Sequence, residues 1–234
     1  MKWYQQNKKY IEIMWDKLKE KYNQLKIGKK NLYLVASSDK FDSETEFLDV
    51  LAAALSGGVD IVQLREKSMN PNKFLNLAKK VKELCAEFGA TFIINDRVDI
   101  AYIIEADGVH LGQNDIDVNS ARKILGANAI IGISTHSREQ AKKAEEDGAD
   151  YITVGPIFMN ELNRDRASAG IEYAKWVSKN ISTLGFAIGG INLNNCEEVL
   201  NSGFNRISVA RVIINSDNPR DIAYKFKEKI SDYT

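Results

Sequence analysis

Much of what would mark an unusual protein is missing from this chain of 234 residues. It has two cysteines, Cys85 and Cys196, far apart and each within a helix-patterned segment, which argues against a disulfide framework and a zinc-type pair. Its apolar runs are no longer than strands, so no membrane span is expected, and the N-terminus lacks the apolar core of a signal peptide. Neither sign of charge dominates, with Lys+Arg and Asp+Glu at 32 each. No global field therefore draws nucleic acid or a membrane, and any anion binding has to be local. There is no repeat, linker or low-complexity tract, and no glycine-rich turn follows the first apolar run to hold a dinucleotide. A reduced, cytoplasmic setting is the default expectation.

What is present is a globular composition, 44% hydrophobic and 27% charged, at a length that suits one large α/β domain or two small ones. Residues 2–26 read as a separate unit. Trp3, Tyr4, Tyr10, Ile11, Met14, Trp15, Leu18, Tyr22 and Leu25 recur with helical spacing, ended near Gly28. Asp and Glu share the polar face with Lys, so this helix suits packing on the body or on a second copy, as in a homo-oligomer, better than a membrane surface. The expected division is an amphipathic extension over 1–28 and one domain over 29–234.

From there short apolar runs at 32–35, 59–64, 91–94, 108–111, 129–133, 151–154, 184–188 and 206–209 alternate with helix-patterned segments at 44–55, 71–88, 98–104, 118–125, 138–146, 171–178, 193–200 and 219–230. Strand–helix pairs with short connections imply parallel strands and right-handed crossovers. Eight pairs predict a (β/α)8 TIM barrel with an extra N-terminal helix, with a doubly wound open sheet as the runner-up. A barrel gathers its chemistry at the C-terminal strand ends, so the polar residues just past each run should face one another.

Gln63, Arg65 and Lys67 alternate with Leu64 and Glu66 where the second run ends, and in an extended chain all three project to one side. An amide and two cations there suit a phosphorylated ligand, while a strand fraying into charged solvent is the plainer account. Asn95 and Asp96 end the third run, as ligands of a cation and a polar ring or as helix caps. Asp115 follows the fourth, as a second carboxylate or as a turn residue. Two carboxylates near two cations fit Mg²⁺ bridging a diphosphate. His110 lies within its run and reads as packed or on the rim. Ser134 and His136 follow the fifth run, with Ser137 an N-cap for the next helix. Arg164 and Arg166 sit in the long loop after the sixth run, as phosphate binders or solvated charges. Gly189 and Gly190 let backbone approach a ligand after the seventh. Arg211 follows the eighth, beside that glycine pair or simply opening a short helix.

From about Leu32 onward the chain resembles the thiamine-phosphate synthase family. The resemblance is carried by Gln63-Leu64-Arg65-Glu66-Lys67, Ile94-Asn95-Asp96-Arg97, the stretch from Asp107 to Asp115, Gly132-Ile133-Ser134-Thr135-His136, Gly148-Ala149-Asp150-Tyr151, Gly155-Pro156-Ile157-Phe158 and Ala187-Ile188-Gly189-Gly190-Ile191. It implies a (β/α)8 barrel that joins 4-amino-2-methyl-5-(diphosphooxymethyl)pyrimidine to a thiazole phosphate, releasing pyrophosphate by a dissociative route with Mg²⁺. It further implies that Gln63, Arg65 and Lys67 grip the diphosphate, that Asn95 and Ser134 contact the pyrimidine, that Asp96 and Asp115 hold Mg²⁺, and that Gly189 meets the thiazole phosphate. On that footing Arg65, Lys67 and Ser134 are the catalytic expectations. Two places depart from the family. Asn160, Leu162 and Asn163 stand where its lid has threonines and a lysine, and Ala210-Arg211 replaces Val-Ser, leaving Arg211, Arg164 or Arg166 as replacement cations. The alternatives are the related thiazole tautomerase, which has no need of the carboxylate pair, and a non-catalytic, regulatory ligand-binding barrel.

Overall fold

In the computed structural model, which describes residues 27–159 and 168–233, eight parallel strands close into a barrel in sequence order. The strands are β1 (Leu32–Ala36), β2 (Ile61–Leu64), β3 (Thr91–Asn95), β4 (Gly108–Leu111), β5 (Ile130–Thr135), β6 (Tyr151–Val154), β7 (Leu184–Ile188) and β8 (Ile207–Val209). The helices described are α1 (Glu44–Ser56), α2 (Pro71–Glu87), α3 (Val98–Ile103), α4 (Val118–Leu125), α5 (Arg138–Glu146), α6 (Gly170–Asn180), α7 (Cys196–Leu200), α8 (Arg211–Ile214) and α9 (Pro219–Ser231). The TIM-barrel expectation holds, and the open sheet is set aside because β1 pairs with β8. The stretch 2–26, on which the expected N-terminal helix falls, lies outside the described residues, as do Asn160, Leu162, Asn163, Arg164 and Arg166.

Local signals set the helix starts. Ser43 accepts from the Glu46 backbone N–H ahead of α1, Ser137 does the same for Gln140 at α5, and Asn-Pro pairs open α2 and α9. Some boundaries shift from the sequence reading. β5 runs on through Ser134 and Thr135, and α7 is only Cys196–Leu200, shorter than the 193–200 pattern.

Alternation along each strand divides the apolar residues into two layers. Leu34, Val62, Ile94, Val109, Ile131, Ile152 and Val209 pack outward under the helices. Inside the barrel lies a smaller cluster of Ile27, Tyr33, Ile61, Ile93, Ile130, Tyr151 and Phe186. The aromatic rings meet at angles: Tyr33–Phe186 centroids are 5.3 Å apart and Tyr151–Phe186 5.7 Å, both edge-on. Among the described residues this packed floor fills the lower barrel, and a cavity opens at the C-terminal end.

Candidate active site

This cavity, of about 540 Å³, is lined by residues at and beyond the C-terminal ends of β2 to β6. Arg65, Lys67, Asn95, Asp96, Asp115 and Ser134, far apart in sequence, all line it. The alternation after β2 is retained. Arg65 and Lys67 face this cavity, while the Glu66 carboxylate accepts from the Ser38 backbone N–H at 2.6 Å. Lys67 Nζ lies 3.7 Å from Asp96 Oδ2.

Asp96 has a left-handed backbone, φ 60°, in the sharp turn out of β3. The helix that follows takes Arg97 as its N-cap with no side-chain hydrogen bond, so neither Asn95 nor Asp96 acts as its cap. Burial first, then the neighbouring Asp115, raises the Asp96 carboxyl above its ordinary value, and Lys67 only partly offsets them. Two carboxylates held together in this way form a place for positive charge. Asp115 also fills its turn role, accepting from the Gly112 backbone N–H at 2.6 Å. Among the described residues, no group of three or more acidic, Cys or His side chains is arranged as a metal cage.

Below the cavity the barrel interior is polar where the sequence reads as apolar. Gln63 is buried, 3% exposed, and its Nε2 donates to Tyr33 Oη at 2.7 Å. It therefore sits under the cavity and not on its lining. Tyr33 Oη is 2.8 Å from Tyr151 Oη, which is 3.0 Å from His110 Nδ1. His110 Nε2 is 2.9 Å from Ser134 Oγ, with Thr153 Oγ1 at 3.4 Å. The packed reading of His110 thus holds. Burial pushes its pKa down to about 4, so the ring is neutral. His136 is exposed on the cavity lining, its Nδ1 donating to the Gly155 carbonyl at 2.5 Å.

The far side of the rim is built differently. Gly189, φ +101°, could not carry a side chain, since a Cβ there would meet Pro156 Cα at 2.5 Å. Phe158 N–H donates to the Gly189 carbonyl at 3.0 Å, tying the β6 loop to β7. Arg211 is exposed and opens α8. Neither Gly189 nor Arg211 lines the cavity of Arg65 and Asp96.

Sequence reasoning missed Tyr33, Tyr151 and Thr153, although a tyrosine or threonine inside an apolar run was the available signal. It also missed Gln140, which lines the cavity and accepts from the His136 backbone N–H at 2.7 Å. In sequence Gln140 is simply a polar residue in the first turn of a helix.

With this geometry in place, comparison with known proteins is decisive. A family model described as thiamine monophosphate synthase matches residues 32–213. The chain belongs to that family. Within it, thiamine-phosphate synthase of Nostoc punctiforme is 39% identical over 193 residues, covering 82% of this chain and 54% of that protein. The chain thus spans about half the length of that relative. Thiamine-phosphate synthase of Methanobrevibacter smithii is 38% identical over 205 residues, covering 86% of this chain and 97% of the relative. Among solved structures, a thiamine phosphate pyrophosphorylase from Pyrococcus furiosus superposes with a TM-score of 0.80 at 31% identity, covering 89% of this chain and 98% of that one.

Proposed function

We propose that this chain is a transferase that condenses 4-amino-2-methyl-5-(diphosphooxymethyl)pyrimidine with a thiazole phosphate to give thiamine phosphate and pyrophosphate. The observation that carries this reading is the convergence of Arg65, Lys67, Asp96 and Asp115 on one cavity. In the reaction the bond between the pyrimidine methylene carbon and the diphosphate oxygen breaks, with the electron pair leaving on pyrophosphate. The thiazole nitrogen lone pair then forms the new C–N bond.

The protein's task is to stabilise the leaving group and orient the cation. Arg65 and Lys67 take the diphosphate oxygens, where fixed positive charge acts on the charge developing in the transition state. Asn95 and Ser134 hold the pyrimidine. Gln63, expected to grip the diphosphate with Arg65 and Lys67, is buried beneath and bonded to Tyr33 instead. Gly189 brings backbone N–H groups to the thiazole phosphate, and Arg211, exposed where α8 opens after β8, supplies a cation.

The donor set suits Mg²⁺ at Asp96 and Asp115. Such a cation takes one or two carboxylates and completes its shell with phosphate oxygens and water, and it would relieve the raised carboxyl of Asp96. When bound, it neutralises the departing diphosphate. The same reading places the chain in the cytoplasm with small-molecule substrates and keeps an N-terminal extension separate from the barrel domain, with the expected boundary at 28 moved back, since Ile27 packs inside the barrel.

The test incubates the chain with Mg²⁺ and both substrates and follows pyrophosphate and thiamine phosphate together. Stoichiometric appearance of the two is expected. Thiazole isomerisation without condensation would replace this reading with a tautomerase. Diphosphate binding with no turnover would replace it with a regulatory barrel.

A further inference from the structure

The buried polar residues form one continuous path: Gln63 Nε2, Tyr33 Oη, Tyr151 Oη, the two ring nitrogens of His110, and Ser134 Oγ on the cavity wall. We propose that this path has a single direction, fixed at its deep end by Gln63, and that it presents Ser134 to the ligand as a hydrogen-bond donor.

The direction follows from counting protons. The Gln63 amide nitrogen can only donate, so Tyr33 Oη accepts from it and gives its own proton to Tyr151. Tyr151 Oη, having accepted, gives its proton to His110 Nδ1. A neutral imidazole that accepts at Nδ1 carries its hydrogen on Nε2, and so donates to Ser134 Oγ at 2.9 Å. The Ser134 hydroxyl already accepts from the protein, which leaves its proton for the cavity. The atom of the ligand facing it must then be an acceptor without a hydrogen, such as an unprotonated ring nitrogen or a phosphate oxygen. This deepens the reading of the cavity as a pyrimidine-diphosphate site and rests on it. His110 is a positioning residue in this scheme, acting on the ligand only through Ser134.

Two packing features hold the path in place. A Cβ at Gly132 would lie 2.0 Å from Tyr151 Cζ, so glycine there makes room for the phenol to cross the barrel. The His110 ring stacks on Tyr151, centroids 5.5 Å apart and 27° between planes. His110 and Tyr151 are both buried, so water does not compete for these bonds.

The proton positions can be read directly. The chain has two histidines, so isotope-labelled, ligand-free, full-length protein gives two imidazole patterns in long-range proton–nitrogen spectra, which His136→Gln assigns. His136 serves as the internal control, because a ring nitrogen facing the Gly155 carbonyl must carry hydrogen at Nδ1. At neutral pH, His110 is expected as the Nε2–H tautomer. An Nδ1–H tautomer at His110 would overturn the proposal, since the path would then run inward from Ser134.

Kinetics supplies the second arm. His110→Ala is expected to lower kcat about tenfold, as for one lost hydrogen bond to a reacting ligand, and His110→Gln, which keeps an amide donor within reach, to recover most of it. In a Ser134→Ala background, His110→Ala should cost less than about twofold more. Independent, multiplying losses would overturn the proposal. Failure of the wild-type chain to condense its substrates would instead sink the functional reading, and the tautomer, measured without substrate, would still be judged on its own.

Discussion

The two ends of the barrel use aspartate in opposite ways. At the floor, each carboxylate just before a strand ties down the strand next to it. Asp60 Oδ2 accepts from the backbone N–H groups of Asn31 and Leu32, both at 2.9 Å, and pairs with Lys227 at 2.8 Å. Asp107 Oδ2 accepts from Phe92 N–H at 2.9 Å. Asp150 Oδ2 accepts from Ile131 N–H at 2.7 Å and pairs with Arg122 at 2.7 Å. At the rim, Asp96 and Asp115 face each other, with Lys67 as the nearest offset. Floor carboxylates are paired with cations and backbone N–H groups of the folded chain, whereas the rim pair, with one N–H at Asp115 and Lys67 beside Asp96, keeps a mutual repulsion that a bound cation would relieve. The lesson is that an aspartate at a strand terminus is ambiguous until one knows which terminus.

The sharpest way to break this comparison is to exchange consequences between the two ends. Asp96→Ala is expected to lower kcat/KM for condensation by at least about a thousandfold while leaving thermal unfolding nearly in place. Intact condensation in that variant would overturn the proposed role of Asp96 in holding Mg²⁺. Asp150→Ala should do the reverse. It leaves the Ile131 N–H without its acceptor and the half-buried Arg122 guanidinium without its carboxylate, bonded only to backbone carbonyls. Unfolding free energy should fall by about 2 kcal/mol, read by urea titration, with kcat in the surviving folded fraction little changed. If both variants lost activity without losing stability, the division between floor and rim would be false.

Much of this was legible in the sequence. Eight apolar runs implied the barrel, and the rim residues Arg65, Lys67, Asn95, Asp96, Asp115 and Ser134 were legible because each lies in the short stretch just past a run. The layer of each strand residue was not legible. In a barrel whose strands are buried on both faces the hydrophobic run is nearly continuous, so period two is masked. Gln63 therefore read as a ligand-gripping amide beside the cations Arg65 and Lys67, although it lies one layer below Arg65 and is already bonded to Tyr33. Tyr33 and Tyr151 read as ordinary strand formers for the same reason. Their role depends on contacts between residues 118 apart in the chain, which no local pattern encodes.

His110 connects the two ends and gives a prediction in pH. Burial lowers its pKa from the ordinary 6.5 to about 4, with the Asp115 charge pulling weakly the other way, while Tyr33 and Tyr151 are held well above their ordinary values and stay neutral. The neutral ring is favoured by folding, so its contribution is complete above the unfolded value and is lost as pH falls from about 6.5 toward 4. At 1.36 kcal/mol per unit the loss amounts to roughly 3 kcal/mol. Urea titrations at several pH values should show this slope in the wild type and a flatter one in His110→Gln. Equal slopes would mean that the ring is solvated and charged well above pH 4.

The smallest effect is the one that separates the ends by sign. The carboxyl of Asp96 is raised, so its charged form is disfavoured by folding, and the penalty grows as pH rises through the folded value. Without metal, Asp96→Asn should therefore stabilise the chain, by about 0.5 kcal/mol once solvent screening of a half-exposed group is allowed for. The same Asp→Asn change at Asp150 should destabilise. Added Mg²⁺ should raise the melting temperature of the wild type and leave Asp96→Asn unmoved, because the metal and the substitution relieve the same repulsion. Were Asp96→Asn to lower stability as Asp150→Asn does, the rim pair would be structural, and the cation would have to be sought elsewhere.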